Sequence, residues 1–124
     1  MISGIDHIVL TVRDVEASQD FFVAALKGEA VTFAQGRRAV KVGSQKINLQ
    51  TLGEERRNYA GIGSGDVCFL STETPQTVVQ HLSSLGIGIV EGPVAKSGAI
   101  GPITSIYFND LDGNLIEIGC PDYG

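Results

Sequence analysis

The stretch ITSIYFNDLDGNLIEI, residues 103–118, determines the topology of the C-terminal part of the chain. Residues 103–108 and 114–118 are rich in β-branched, aromatic and other apolar side chains, a composition that favours two strands. Residues 109–113 between them, Asn-Asp-Leu-Asp-Gly, are typical of a tight turn. The stretch therefore predicts a β-hairpin.

The alternation of side chains along this hairpin predicts which of its polar residues share a face. We expect Phe108 to pair roughly with Asn114, and successive residues of a strand point to opposite faces of a sheet. Ser105, Tyr107 and Glu117 then lie on the same face. A carboxylate within Leu-Ile-Glu-Ile is costly to bury unpaired, and a shared cation or proton would remove that cost.

Residues upstream of the hairpin predict a strand, a helix and a further strand. Residues 67–71 form a strand-like run, and Thr74-Pro75 supplies an N-cap followed by a proline at the first helical position. Apolar residues then recur at helical spacing. We expect a short strand at 87–91 and a glycine- and proline-rich loop over 92–102. With the hairpin, the order is βαβββ.

The N-terminal part predicts the same order. Residues 5–12 form a buried strand, and Asp14 is the N-cap of a helix over 15–27 that ends at Gly28. Three strands follow, at 29–35, 38–43 and 46–51. We therefore expect an α+β fold with two βαβββ modules of mixed sheets in a single domain, residues 1–124. Module 1 spans about 1–52, the linker is 53–64, and module 2 spans about 65–124.

Composition excludes several functional classes. The chain has 124 residues, 43% of them hydrophobic and 19% charged, and its net charge is −5. The acidic balance argues against nucleic acid and against an anionic membrane surface as partners. No apolar run approaches the ~20 residues of a membrane span. Charged residues interrupt any N-terminal signal segment, so we expect a cytoplasmic protein.

Four polar side chains occupy corresponding strand positions in the two modules. His7 and Gln50 lie on the first and last strands of module 1, and Asp66 and Glu117 on those of module 2. Each also has an ordinary structural interpretation. His7 is then a core histidine, Gln50 a hydrogen-bonding pocket residue, Asp66 a loop cap, and Glu117 the partner of an arginine or of backbone amides.

The chain resembles the vicinal oxygen chelate superfamily, which contains glyoxalase I, bleomycin-resistance proteins, fosfomycin-resistance enzymes and extradiol dioxygenases. The resemblance rests on the opening Asp-His-Ile-Val-Leu at 6–10 and on Tyr-Phe-Asn-Asp-Leu-Asp-Gly-Asn-Leu-Ile-Glu-Ile at 107–118. Residues 101–108, Gly-Pro-Ile-Thr-Ser-Ile-Tyr-Phe, are similar to small glyoxalase-domain proteins. The resemblance covers nearly the whole chain and is poorest over residues 53–64.

This resemblance implies two cup-shaped sheets that face each other around one divalent metal, within one chain or between two swapped chains. Carried over to this sequence, the four metal ligands are His7, Gln50, Asp66 and Glu117. Gln50 departs from the family's usual His or Glu, and Asp66 from its usual His. One imidazole with three oxygen donors favours Mn²⁺, Mg²⁺ or Fe²⁺, with Zn²⁺ and Ni²⁺ also compatible.

The function implied is that of a metal-dependent enzyme, of lyase, isomerase or transferase type, that acts on vicinal oxygens of a small polar substrate. Glu117 would be both a ligand and the catalytic proton shuttle. The competing hypothesis is a metal-free small-molecule-binding dimer of the bleomycin-resistance kind. In either case we expect a homodimer.

Lys96, Ser105 and Tyr107 are the expected substrate-binding residues. Ser105-x-Tyr107 is similar to the strand that binds phosphonate in fosfomycin-resistance enzymes, and Lys96 would lie on the preceding glycine-rich loop. Arg37 and Arg38 are further candidates on the predicted hairpin of module 1, although an ordinary surface position is the simpler interpretation of both. No histidine is placed to activate Cys68, which favours a pocket-wall residue over a nucleophile.

Overall fold

A computed structural model describes residues 1–123 and contains two βαβββ elements in sequence. The first comprises β1 (His7–Thr11), α1 (Val15–Leu26), β2 (Glu29–Phe33), β3 (Arg37–Val42) and β4 (Gln45–Gln50). The second comprises β5 (Asp66–Leu70), α2 (Pro75–Ser84), β6 (Glu91–Ser97), β7 (Pro102–Asn109) and β8 (Leu115–Pro121). The α+β class and the βαβββ repeat are confirmed.

Each βαβββ repeat forms its own four-stranded mixed sheet. The strand orders are β1-β4-β3-β2 and β5-β8-β7-β6. The first and last strands of each repeat pair in parallel, and the other neighbours are antiparallel. The chain divides into two compact units: unit 1 is Met1–Gly65 with Asp110–Gly113, and unit 2 is the rest of the described chain. Neither helix is long and apolar enough to cross a membrane.

Helix α1 packs on one face of the unit 1 sheet and leaves the other face free for polar residues. Its N-cap is Asp14, whose Oδ1 accepts from the Ala17 amide at 3.0 Å, as the sequence predicts. The buried Gln19 donates to the carbonyls of Val31 and Ala39 and accepts from Arg38 Nη1. The bond to Gln19 holds the Arg38 side chain on the face of the sheet that α1 covers.

Unit 2 has the same two-faced organisation. Thr74 caps α2, with Pro75 in its first turn, as predicted. Fully buried apolar side chains recur at every second position along β7 and β8, including Ile106, Phe108 and Ile116, and Leu82 of α2 is buried as well. The polar residues that interrupt these strands consequently point away from the apolar core.

Two sequence predictions for unit 2 are wrong in detail. The strand expected at 87–91 is absent, and β6 instead occupies Glu91–Ser97, within the predicted loop, so Lys96 lies on a strand. The glycine and proline content suggested a loop, but Gly92-Pro93 coincides with a shift in the β6–β7 register and the strand continues beyond it.

The register of the final hairpin also differs from the prediction. Phe108 pairs with Ile116, two residues from the expected Asn114. Because side-chain direction has a period of two, a shift of two residues leaves the faces unchanged. Tyr107 is directly opposite Glu117, and Ser105 is opposite Gly119, all on one face as predicted.

The backbone of Gly92 provides a test of how β6 is held against β7. Its φ of +109° is one that L residues avoid, and a Cβ there would overlap the carbonyl oxygen of Ser105. We expect Gly92→Ala to lower the free energy of unfolding by at least about 2 kcal/mol. The measurement is urea denaturation followed by circular dichroism.

Gly88→Ala is the matched control. No atom lies within 4 Å of a Cβ built at Gly88, which also lacks a positive φ. We expect this substitution to be neutral or to stabilise the fold by about 0.4–1 kcal/mol, because it restricts only the unfolded chain. Equal midpoints for the two variants would contradict the strain assigned to Gly92.

Candidate functional site

Unit 1 contains a polar cavity of about 420 Å³ on the face of its sheet opposite α1. Its strand residues include His7, Arg37, Asn48 and Gln50. The segment after β4 adds Glu55, Arg57 and Asn58. Residues predicted to be a plain linker therefore form part of a cavity wall.

His7 is oriented by the residue before it. Its Nδ1 lies 2.8 Å from Asp6 Oδ2, and its side chain is 44% exposed. A histidine whose Nδ1 donates to a carboxylate presents its Nε2 lone pair, the arrangement found at many metal-ligating histidines. His7 is therefore set to bind a metal or to accept a hydrogen bond through Nε2.

Gln50 is buried, and its amide nitrogen is fully engaged. Nε2 donates to Thr11 Oγ1 at 2.9 Å and to Asn58 Oδ1 at 3.3 Å, and the residue is only 3% exposed. These two bonds assign the nitrogen and leave Oε1, an acceptor and the only ligating atom of the amide. The position predicted for a metal ligand therefore presents the right atom type.

Unit 2 contains a second cavity, of about 480 Å³. Its polar lining residues are Asp66, Glu91, Lys96, Tyr107 and Glu117, and its apolar ones are Val90 and Leu115. Three carboxylates against one lysine make it acidic. Four of the residues predicted for the site, Asp66, Lys96, Tyr107 and Glu117, lie together here.

Glu117 is surrounded by hydrogen-bond donors. Ser105, which is fully buried, donates its hydroxyl to Glu117 Oε2 at 2.6 Å. Desolvation first and this carboxylate second raise the pKa of Tyr107. The same two causes raise the pKa of the Cys68 thiol to about 11. Among the described residues, no Lys or Arg forms an ion pair with Glu117.

Lys96 extends from β6 over the same cavity. Its Nζ lies 3.9 Å from Glu91 Oε2 and 5.8 Å from the centre of the Tyr107 ring. Its side chain is 44% exposed. A half-exposed ammonium at the edge of an acidic cavity suits an anionic oxygen of a ligand, the role predicted for it.

The predicted metal donors are divided equally between the units. His7 and Gln50 line the unit 1 cavity, and Asp66 and Glu117 line the unit 2 cavity. Within residues 1–123, no three His, Cys, Asp or Glu side chains are grouped closely enough to hold an ion. Unit 1 offers an imidazole nitrogen and an amide oxygen, and unit 2 offers two carboxylates; each is a donor type that a hard or borderline divalent ion accepts.

Sequence reasoning missed several residues of these cavities. Asn48 gives the same signal as Gln50, because it is a polar side chain between the apolar Ile47 and Leu49 and lies on the same strand face as Gln50. Asn58 and Glu91 gave no signal, because the side of a sheet on which a loop or edge residue lies depends on tertiary packing. Arg37 and Arg38, which the sequence left equivalent, are separated by the sheet: only Arg37 faces the cavity.

A family model described as the Glyoxalase/Bleomycin resistance protein/Dioxygenase superfamily matches residues 4–118. The chain is 46% identical over 121 residues to virulence protein STM3117 of Salmonella typhimurium, which covers 95% of this chain and 84% of that protein. It is also 28% identical over 118 residues to metallothiol transferase FosB of Staphylococcus epidermidis, and the match covers 94% of this chain and 81% of that protein.

Solved structures agree with these relationships. The crystal structure of STM3117 matches with a TM-score of 0.91 and 45% identity over 97% of this chain and 98% of that one. VPC_CASS1, from the mobile metagenome of V. Pseudocholerae, matches with a TM-score of 0.93 and 41% identity over 99% and 98%. Relatives at this level share the fold over its whole length.

The pKa of Cys68 provides a test of the electrostatics around Glu117. A thiol with a pKa of about 11 has far less thiolate at pH 8 than an ordinary cysteine, partly offset by its greater intrinsic nucleophilicity. In a Cys120→Ser background we expect iodoacetamide to react about tenfold more slowly than with a free thiol, with an inflection near pH 11.

Glu117→Gln should move that inflection to lower pH, because the nearby negative charge disfavours the thiolate. Asp66→Asn is the matched control, since Asp66 is the weakest of the causes that act on this thiol. An inflection that does not move in Glu117→Gln, or that moves equally in both variants, would contradict the contact between Cys68 and Glu117.

Proposed function

This chain belongs to the glyoxalase/bleomycin resistance protein/dioxygenase superfamily, and we propose that it is a divalent-metal-dependent enzyme acting on vicinal oxygens of a small polar substrate. The observation that carries the proposal is the state of Glu117. It lies on an otherwise apolar strand, receives a hydrogen bond from a buried serine, and has no cationic side-chain partner among the described residues. A half-buried carboxylate of this kind requires a counter-charge.

His7 Nε2, Gln50 Oε1, Asp66 and Glu117 are the atoms and groups that would hold the metal. A divalent ion, Mn²⁺, Ni²⁺, Zn²⁺ or Fe²⁺, supplies Lewis-acid activation of the substrate oxygens when bound. The similarity to a protein named metallothiol transferase supports a metal in this family member.

Glu117 would also move a proton. Ser105 holds one carboxylate oxygen, Oε2, so the other oxygen is available to take a proton from the substrate and to return it. The hydroxyl of Ser105 orients this base, and its contact with substrate stays a prediction. The result would be a lyase, isomerase or transferase reaction at a carbon next to the bound oxygens.

Tyr107 and Lys96 would bind the substrate from the same side. The raised pKa of Tyr107 keeps its hydroxyl protonated and therefore a donor at neutral pH. Lys96 carries a mobile positive charge on the rim and would neutralise an anionic oxygen of the substrate. Both residues line the same cavity as Glu117, the proposed base, and neither would take the substrate proton in its place.

A metal-free binding protein is the second candidate function. Three neutral amides, Asn48, Gln50 and Asn58, line the unit 1 cavity. Such a lining can hold a polar molecule by hydrogen bonds alone. Under this alternative, His7 contacts the ligand in the unit 1 cavity directly.

The metal proposal predicts a ranking of variants in calorimetric titrations with Mn²⁺, Ni²⁺ and Zn²⁺. We expect His7→Ala to lose at least about tenfold more affinity than Gln50→Ala, equivalent to ~1.4 kcal/mol. An imidazole nitrogen is a strong donor and an amide oxygen a weak one. His81→Ala, on α2 and outside both cavities, should bind metal like the unaltered protein.

Absence of heat with all three metals, or unchanged binding by His7→Ala, would remove the metalloenzyme hypothesis and leave the binding protein. Because Gln50 also bonds to Thr11 and Asn58, the melting temperature of Gln50→Ala is measured alongside. A loss of affinity in a destabilised variant is then not mistaken for loss of a ligand.

We also propose that the protein is a cytoplasmic homodimer. Large apolar side chains stand exposed on it, including Ile5, Tyr59, Leu70 and Ile100. Leu70 belongs to β5, an edge strand whose backbone is free to pair on one side. Exposed apolar surface beside an unpaired edge favours association with a second copy.

Sedimentation velocity tests this proposal. We expect a species of twice the monomer mass of 13.1 kDa at micromolar concentration, and Leu70→Lys should shift the equilibrium toward monomer because a charge at an apolar contact is costly to desolvate. Gln80→Lys, at an exposed polar position on α2, is the control that adds the same charge without removing apolar surface. A purely monomeric protein at that concentration would rule the dimer out.

A further inference from the structure

The side-chain amide of Asn48 is an unsatisfied group in the wall of the unit 1 cavity. Asn48 lies on β4, is only 4% exposed, and its Oδ1 has no hydrogen-bond partner among the described residues. Buried polar atoms are nearly always paired, and an unpaired one costs stability. The two other amides of the same cavity, those of Gln50 and Asn58, are both hydrogen-bonded.

Arg37 presents a positive charge to the same cavity. Its guanidinium lies 5.0 Å from the centre of the Phe33 ring, and Lys46 Nζ lies 3.5 Å from the same ring. Within residues 1–123, neither cation forms an ion pair. Both cations contact an aromatic ring and not a carboxylate, so Arg37 keeps its charge available to an anion that enters the cavity.

The neighbouring arginines already have side-chain hydrogen-bond partners. Arg57, which also lines the cavity, forms a double contact with Glu55 at 2.6 and 2.9 Å. Arg38 points to the other face and donates to Gln19. Arg37 is therefore the guanidinium of this cavity that is available to an anion.

We infer that the unit 1 cavity recognises a small carboxylic acid that carries an amide or hydroxyl group at its other end, an inference that rests on the proposed function and names its substrate class. Arg37 binds the carboxylate, and the Asn48 amide hydrogen-bonds the neutral polar group. Lys46 adds positive charge at the rim.

The sheet register sets the length of this ligand. Ala39 of β3 is paired with Asn48, and Arg37 is two residues further along the same strand face. With strands about 4.8 Å apart and a rise of about 3.4 Å per residue, the two Cα atoms are separated by roughly 8 Å. An acid of about five to eight heavy atoms spans the gap between the two side chains.

Three small molecules separate the two contacts. Succinamate has a carboxylate and an amide, butyrate lacks the amide, and succinamide lacks the charge. Binding is followed by chemical-shift titration of metal-free protein in EDTA, which detects millimolar affinities. We expect succinamate to bind at least about tenfold more tightly than either of the others, because each removed contact is a hydrogen bond or a charge-assisted one.

Variants assign each contact to its residue. Arg37→Met should abolish the advantage of succinamate over succinamide and keep its advantage over butyrate. Asn48→Leu should do the reverse. Arg56→Met, an exposed arginine outside the cavity, should behave like the unaltered protein. Equal binding of the three molecules, no binding by any, or an equal effect of all three variants would overturn the inference.

The melting temperature distinguishes a ligand-binding role of Asn48 from a structural one. Leu has the same branching as Asn and no polar atoms, so Asn48→Leu should raise the melting temperature, by about 3–6 °C. Asn58→Leu should lower it, since Asn58 Oδ1 accepts from Gln50 Nε2 and from the Ala60 amide. A fall in both variants would assign Asn48 a structural role and contradict the inference.

The outcome is separable from that of the proposed function. Selective binding of succinamate without any heat from metal titration would leave the recognition of an acid in place and remove the metalloenzyme. Metal binding without selectivity among the three molecules would do the opposite.

Discussion

The central position of Glu117 in its sheet is the constraint on which the unit 2 site depends. Parallel pairing places Cys68 beside it on β5, and antiparallel pairing places Tyr107 beside it on β7. A carboxylate flanked on both sides has limited access to water, and its charge acts on both neighbours. The raised pKa values of the thiol and the phenol, and the need for a counter-charge, follow from this one placement.

Unit 1 applies the same topology with different chemistry. Asn48 of its central strand β4 pairs with the third residue of β1, just as Glu117 of β8 pairs with the third residue of β5, so an amide occupies the position that in unit 2 holds a carboxylate. The free cation Arg37 makes the unit 1 cavity suited to an anion, whereas the carboxylates of unit 2 suit a cation. Two βαβββ repeats of the same topology therefore present cavities of different charge.

Local signals explain how much could be predicted from the sequence. Asp14 and Thr74 mark helix starts because a cap needs only its own neighbours, and Glu117 could be assigned to a face because side-chain direction has a period of two. Because of the same period, the predicted hairpin register, although wrong by two residues, still placed Tyr107 and Glu117 on one face. Strand β6 was missed because its glycine and proline are tolerated at a register shift, which only pairing with β7 defines.

Arg37 and Arg38 illustrate where a sequence stops being informative. They are adjacent and identical, yet Arg38 is tied to Gln19 under the helix while Arg37 faces the cavity. The bond to Gln19 gives Arg38 a structural role and by alternation directs Arg37 to the opposite face. The Oδ1 of Asn48 lies on that same face, and its burial lowers stability because it has no hydrogen-bond partner among residues 1–123. Groups that are costly to the free fold and that converge on one cavity are best explained by a molecule that binds there.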